Sequence, residues 1–344
     1  MKHLKIVLLK LLVVIPIISF GQNFKDKIKE NNGKRVDSLV YLKAESPYNY
    51  VPVTIISGKE KGPVFSIIAG IHGYEYPPIV AVQELMKEIN PEKLKGTLVI
   101  VPIANVGSFY KRSPFFNPVD NKNLNNAFPG SESGTVTDQI ANWISTNIIP
   151  NSDVFLDIHG GDANEDLLPF VCYYDNKAEE QKTNSARILS EISGIKHVVS
   201  YPYTISKTEP AKYAFKQASQ YGITALSIEA GKLGNVQQES VDQIKKAVYN
   251  MLHYMKMYGG NSPKKNKNLV LLKHQEYVKV EENGIFKSNF KSGDTVKKGE
   301  NIGTISDEFG RIRQQVFAPI SGIILYKTGT PPVNKNETLF CIGY

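Results

Sequence analysis

Two histidines and a carboxylate able to converge on one cation are the first features of this sequence that could do chemistry. His72 and Glu75 lie in AGIHGYE, His159 in LDIHGG and Glu229 in LSIEAG. Each phrase continues an apolar run that reads as a strand, so these polar residues fall at carboxyl ends of strands, where open α/β sheets bind ligands. Two histidines, one carboxylate and an open fourth position are the donor set of a catalytic zinc ion; structural zinc takes four protein ligands, usually including cysteine. In His72-x-x-Glu75 the positions i and i+3 project the same way from a turn entering a helix, so both reach one ion. Such a pair alone is common. Joint placement of the phrases at strand ends, with glycines nearby that let backbone approach a ligand closely, raises metal chemistry above surface carboxylates and helix caps. Asp157, two residues before His159, is expected to point to the opposite face and is given no ligand role.

The elements that must position these residues alternate between strand and helix. Residues 64–71 (VFSIIAGI), 98–103 (LVIVPI), 154–158 (VFLDI) and 224–228 read as buried strands from their length and β-branched content. Helices are expected from Pro77-Pro78 to residue 89, over 135–149, through Ala186 to a stop at Gly194, over 212–221 before Gly222, and over 239–258 before Gly259-Gly260. This order implies an α/β fold, a mixed but mostly parallel sheet with helices on both faces. NSPKKNKN (residues 261–268) is a linker by composition. Beyond it, short apolar stretches separated by EENG, KSGD, KKGE and TGTPP predict a small all-β domain. Its phrases SGDTVKKGENIGTI and VFAPISGIIL resemble the barrel-sandwich repeat of lipoyl and biotinyl carriers, without the turn that would carry a modified lysine. The expected organisation is residues 1–21 as a signal peptide, 22–268 as a zinc-dependent catalytic domain and 269–344 as the C-terminal β domain.

The signal-peptide reading rests on Lys2 and Lys5, the unbroken apolar run over residues 11–20, and small Ser19 and Gly21, with cleavage before Gln22. A run of ten is too short for a bilayer span of about 20 residues, and no cysteine near the cut offers a lipid anchor. An exported protein, periplasmic or secreted and without a membrane anchor after cleavage, is expected. The chain of 344 residues is 41% hydrophobic and 22% charged, the range of a globular protein. Its net charge of +8 falls to +5 without Lys2, Lys5 and Lys10. Lysines scattered along the chain, without a basic stripe and interleaved aromatics, argue against nucleic acid. Cys172 and Cys341 are too few for a disulfide scaffold or a cysteine metal site and are expected to stay unpaired. There is no internal repeat.

Read in order, AGIHGYE, VPIANVGSFYKR, DNKNLNNAFPG, DIHGGD and ALSIEAGKLG resemble the succinylglutamate desuccinylase/aspartoacylase family, part of the zinc carboxypeptidase-like superfamily. The resemblance runs from about residue 63 to residue 236, and HGGDANEDLLPFV further resembles the branch containing N-acetyl-diaminobutyrate deacetylase-like proteins. It implies one Zn²⁺ per chain held by His72, Glu75 and His159. Glu229 would be general base and proton shuttle, and Arg112 would polarise the scissile carbonyl. Asn125 would bind a substrate oxygen; Asn105 is a further candidate that more readily shapes its loop.

One position departs from the family pattern. Where the family has Asn-Leu-Asn-Arg, with the arginine gripping a substrate carboxylate, this chain reads NLNN and places Asn126 there. An arginine–carboxylate pair is bidentate and charge-assisted, roughly twice as strong as a neutral bond. Either another cation takes over, with Lys122 and Lys207 as candidates near the motifs, or the substrate lacks that carboxylate.

The expected activity is hydrolysis of the amide bond of a small N-acylated amino compound, without a covalent acyl-enzyme because no Gly-x-Ser-x-Gly phrase is present. The alternative is a metallocarboxypeptidase-like or cell-wall peptide hydrolase, and a third reading is a non-catalytic binding protein. The β domain is expected either to cap the mouth of the site or to make a homo-oligomer contact.

Overall fold

The computed structural model describes residues 20–344, so the expected signal segment lies almost wholly outside the described residues. Its last two positions open the helix Phe20–Lys29, which docks Phe24 edge-on against Trp143. Among the described residues no helix is long and apolar enough to cross a membrane.

A nine-stranded sheet dominates. Its spatial order is Lys34–Tyr41, Tyr50–Ser57, Lys95–Val101, Glu60–Ala69, Val154–His159, Thr224–Glu229, Phe170–Asp175, His197–Pro202 and Val270–Leu272. The central strands from Lys95–Val101 to Thr224–Glu229 are parallel to one another, as are the last three. Antiparallel pairing joins these two groups and adds the first two strands. The sheet is therefore mixed and mostly parallel, as the alternation of elements requires. Helices Tyr76–Glu88, Glu180–Ile192 and Gln238–Tyr254 cover one face through Leu85, Leu189, Val248 and their neighbours. Helices Phe20–Lys29, Val136–Trp143 and Ala214–Gln220 cover the other through Phe24, Ile140 and Ala218. Strands buried on both faces read as continuous apolar runs, which is how VFSIIAGI and LVIVPI announced themselves.

Several expectations need correction. The stretch between residues 158 and 186 is not all helix: Glu165–Leu167 and Phe170–Asp175 are strands, and the helix starts at Glu180. Strands Lys34–Tyr41, Tyr50–Ser57 and His197–Pro202 were not anticipated. The helix expected over 135–149 is α-helical only over Val136–Trp143, then passes through a π turn at Ile144–Ile148.

After the linker, Val270–Leu272 still belongs to the large sheet, pairing in parallel with His197–Pro202. Two smaller sheets follow. Gln275–Lys279, Thr338–Gly343 and Gly322–Thr328 form one; Ile312–Phe317, Asn301–Ser306 and Gly284–Lys287 form the other. They enclose Val280, Phe286, Ile305, Val316, Ile324 and Phe340, the sandwich expected of the β region. The two parts are knitted together, because Glu165–Leu167 leaves the catalytic region to pair with Gly322–Thr328. Asp166 secures the joint, accepting from the Ser292 backbone and hydroxyl and pairing with Lys232. Cys172 lies in the large sheet and Cys341 in the β region, both buried and unpaired.

Candidate active site

Alternation along one strand settles which way the site faces. In Val154–His159, Phe155 packs on the Trp143 side of the sheet while Leu156 and Ile158 pack on the other. Side chains two apart share a face, so Asp157 and His159 both point to the Phe155 side. The expectation that Asp157 faces away is thus wrong: its Oδ1 lies 3.0 Å from His159 Nε2. On the next strand Glu229 stands directly opposite His159, and Ser227 opposite Asp157.

His72 follows the strand Glu60–Ala69, in the turn that delivers Glu75 to the N-terminus of helix Tyr76–Glu88. Pro77 and Pro78 occupy the first helical positions, and the Glu75 side chain makes no cap to the helix backbone. It turns instead to the histidines. Glu75 Oε1 is 2.6 Å from His72 Nδ1, and Oε2 is 3.1 Å from His159 Nδ1. One donor atom from each of the three residues lies within 4.8 Å of the other two. All three residues are buried, at 8%, 3% and 4% exposure for His72, Glu75 and His159. The remaining ring nitrogens are held from behind: His72 Nε2 lies 3.2 Å from Asn123 Oδ1, and His159 Nε2 faces Asp157.

Two imidazole nitrogens and a carboxylate converging with their second nitrogens anchored is the donor arrangement of a histidine-rich divalent cation site. The protein's electrostatics agree. Burial raises the Glu75 carboxyl, but the charges and hydrogen bonds of His72 and His159 overcome it and hold the group at about 2. Burial lowers the His159 imidazole, yet Asp157 and Glu75 outweigh it and raise the ring well above its ordinary value. That clustered positive demand is what a bound cation would satisfy. Glu229 behaves oppositely: burial, aided by Glu75 and Asp157 against the opposing pull of His159, lifts its carboxyl to about 8. Without a cation Glu229 therefore keeps its proton at neutral pH, and a cation held beside it would favour the carboxylate that a general base requires.

Arg112 caps helix Val106–Lys111 with a left-handed backbone, φ 52°. It is exposed, and its guanidinium has no ion-pair partner among the described residues. Its loop is pressed onto the His72 turn at Gly73, where a Cβ would sit 2.4 Å from the Ser108 carbonyl oxygen. Asn125 lies in the turn Leu124–Asn126, and its Oδ1 is buried without a partner among the described residues. Asn126 is exposed. Asn105 is fully buried and shapes its loop, its Oδ1 accepting from Ser108 N and Asn117 Nδ2 while its Nδ2 has no partner among the described residues. Neither lysine offered in place of the family arginine is free. Lys122 pairs with Asp138 at 2.5 Å and Lys207 with Glu179 at 3.5 Å.

Sequence reasoning missed Asn123 and Phe115, whose ring meets His72 edge-on at 5.6 Å. It also assigned nothing to Asp162 and Glu165, although HGGDANED displays both carboxylates. A larger cleft of about 540 Å³ opens around Asp153, Lys182 and Thr224, at the amino ends of the strands. None of the candidate catalytic groups reaches it.

Residues 61–255 match the family of the succinylglutamate desuccinylase/aspartoacylase catalytic domain. The chain is 28% identical over 302 residues to the N-alpha-acetyl-L-2,4-diaminobutyric acid deacetylase of Halomonas elongata, covering 85% of each. Among solved structures, a succinylglutamate desuccinylase from Silicibacter superposes with a TM-score of 0.80 at 23% identity, covering 92% of this chain and 96% of that one. The product-bound ectoine utilization protein EutE (DoeB) from Ruegeria pomeroyi gives a TM-score of 0.79 at 22% identity, covering 90% and 94%. These structures share the fold across both parts of the chain.

Proposed function

Since this chain belongs to the succinylglutamate desuccinylase/aspartoacylase family, we propose that it is a zinc-dependent hydrolase of the amide bond in small N-acylated amino compounds. The observation that carries the reading is the convergence of His72 Nδ1, His159 Nδ1 and the Glu75 carboxylate, with Glu229 opposite His159. His72, Glu75 and His159 would hold Zn²⁺. When bound, the ion supplies a Lewis acid that acidifies water and polarises the acyl carbonyl.

The chain's own residues supply the rest. Glu229, as carboxylate, takes the proton from the attacking water and returns it to the departing amine nitrogen, so one group serves both halves of the reaction. Arg112, unpaired beside the His72 turn, donates to the oxygen that becomes negative as the acyl carbon turns tetrahedral. Asn125 binds a substrate oxygen through its amide N–H, and its Oδ1, without a partner among the described residues, is left to accept from a substrate N–H. Asn123 and Asp157 keep the two rings from rotating. The products are a carboxylic acid and a free amine. Export of the mature protein from residue 22 is part of the same reading, supported by the N-terminal sequence.

The test is a release assay on N-acyl amino acids, N-acyl diamines and short peptides, with Glu229→Gln as control. Carboxylic acid released from acyl compounds by the parent but not the variant supports the reading. Cleavage of peptides alone would replace it with a peptidase.

A further inference from the structure

Soon after Glu229 the chain leaves the candidate active site and enters the wall of another cavity, of about 510 Å³. Gly231 and Lys232 form one side of it, the turn from Ser193 to His197 another, and Ser292 of the β region a third. The first turns of helix Gln238–Tyr254 close it through Glu239, Ser240 and Gln243. None of His72, Glu75, His159, Glu229 or Arg112 lines it.

Part of this lining attracts anions. An α-helix leaves the N–H groups of its first turn without intrahelical acceptors, and its dipole adds partial positive charge there. No side chain caps this helix: Gln237 turns away and bonds both backbone groups of Lys232. Lys196 and Lys246 are exposed, and neither has an ion-pair partner among the described residues. Lys246 reaches the turn that carries Lys196, since a Cβ on Gly194 would lie 3.7 Å from Lys246 Cε. Lys232 is held by Asp166 at 3.0 Å, and the carboxylate in the lining, Glu239, is exposed and accepts from Gln243 Nε2 at 3.4 Å.

The rest of the lining asks for donors. His197 is 7% exposed; the Pro169 carbonyl accepts from its ring, and Nε2 is buried without a partner among the described residues. Burial, with the charge of Lys196 and against that hydrogen bond, lowers the imidazole, so it is neutral and Nε2 is a bare acceptor. Gln243 Oε1 is also buried without a partner among the described residues. Enclosed acceptors are costly until something donates to them, and a fully ionised oxyanion has no hydrogen to give.

We propose that this cavity binds a phosphate ester of a small sugar or polyol. The phosphate lies against Lys196, Lys246 and the helix N-terminus, and the hydroxyls donate to His197 Nε2 and Gln243 Oε1. Two unpaired ammonium groups beside a helix end match the nearly double charge of a phosphate ester better than the single charge of a carboxylate. The volume falls within the roughly 300–1,000 Å³ of small-molecule sites and leaves room for more than a lone phosphate. The site stands apart from the amide-cleaving reading and does not depend on it.

Calorimetric titration of the full mature chain with glucose 6-phosphate at physiological ionic strength tests this, with glucose and inorganic phosphate as comparators. Glucose 6-phosphate should bind at least tenfold more tightly than either. Lys196→Ala combined with Lys246→Ala, both on exposed side chains, should weaken it at least tenfold. His197→Phe should bring it down to the affinity of inorganic phosphate while leaving inorganic phosphate unchanged. If that buried substitution disturbs folding, the half-buried Gln243→Leu should still weaken the ester severalfold and spare inorganic phosphate. Equal affinity for the ester and inorganic phosphate, binding that survives the double lysine variant, or no binding of the ester overturns the site.

Discussion

Asp157 Oδ1 stands 3.0 Å from His159 Nε2, while the other nitrogen of that ring faces Glu75. The imidazole is thereby fixed between a carboxylate behind it and the candidate metal position in front. Removing such an orienting carboxylate typically weakens metal affinity by roughly 10–100-fold. Asp157→Asn should therefore lose zinc to a competing chelator at correspondingly lower chelator concentration while keeping its secondary structure. Unchanged metal affinity would mean that the pair is only structural.

The raised carboxyl of Glu229 has a consequence for stability. Its folded value of about 8 exceeds the ordinary 4.5, so between those values the folded state holds a proton that the unfolded state has lost. Stability is then reduced progressively as pH rises from about 4.5 to about 8. In metal-free protein, Glu229→Gln removes that penalty. The variant should melt above the parent at pH 8.5, and the difference should shrink toward pH 5. A difference independent of pH would contradict the assignment.

Arg112 is tested by kinetics. Loss of one donor to a developing oxyanion usually lowers the rate by roughly 10²–10³. Arg112→Ala should show that loss mainly in kcat, with bound zinc unchanged. A change confined to KM would make it a docking residue.

Asn126 is exposed next to Asn125, and the two lysines offered as substitutes are tied elsewhere. Asn126→Arg should restore a bidentate partner for carboxylates. Its KM should fall at least severalfold for N-acyl compounds with a carboxylate, and remain unchanged for those without one. Equal effects on both classes would show that position 126 does not touch substrate.

What was legible in the sequence follows from physics that acts locally. Strands buried on both faces announce themselves by apolar runs, and the residue after each run, whether His72, His159 or Glu229, lands at the sheet's carboxyl edge. Strand Phe170–Asp175 escaped although FVCYYD is apolar over most of its length, because it follows a three-residue strand that leaves the large sheet, so the stretch between residues 158 and 186 carries no simple strand–helix alternation. Asp157 was misread although the period of two along VFLDIH was available. Asn123 behind His72 needed the geometry of a turn some fifty residues away. The enclosure of Glu165 depends on a strand about 160 residues further on, and no spacing in HGGDANED foretells it.

The central claim is most directly tested by titrating Zn²⁺ into metal-free mature protein while measuring acetate released from an Nα-acetylated diamino acid. The release rate should rise linearly and saturate at one zinc per chain, and it should stay at background in Glu229→Gln carrying the same zinc. A rate indifferent to zinc, or equal in the variant, would contradict the account.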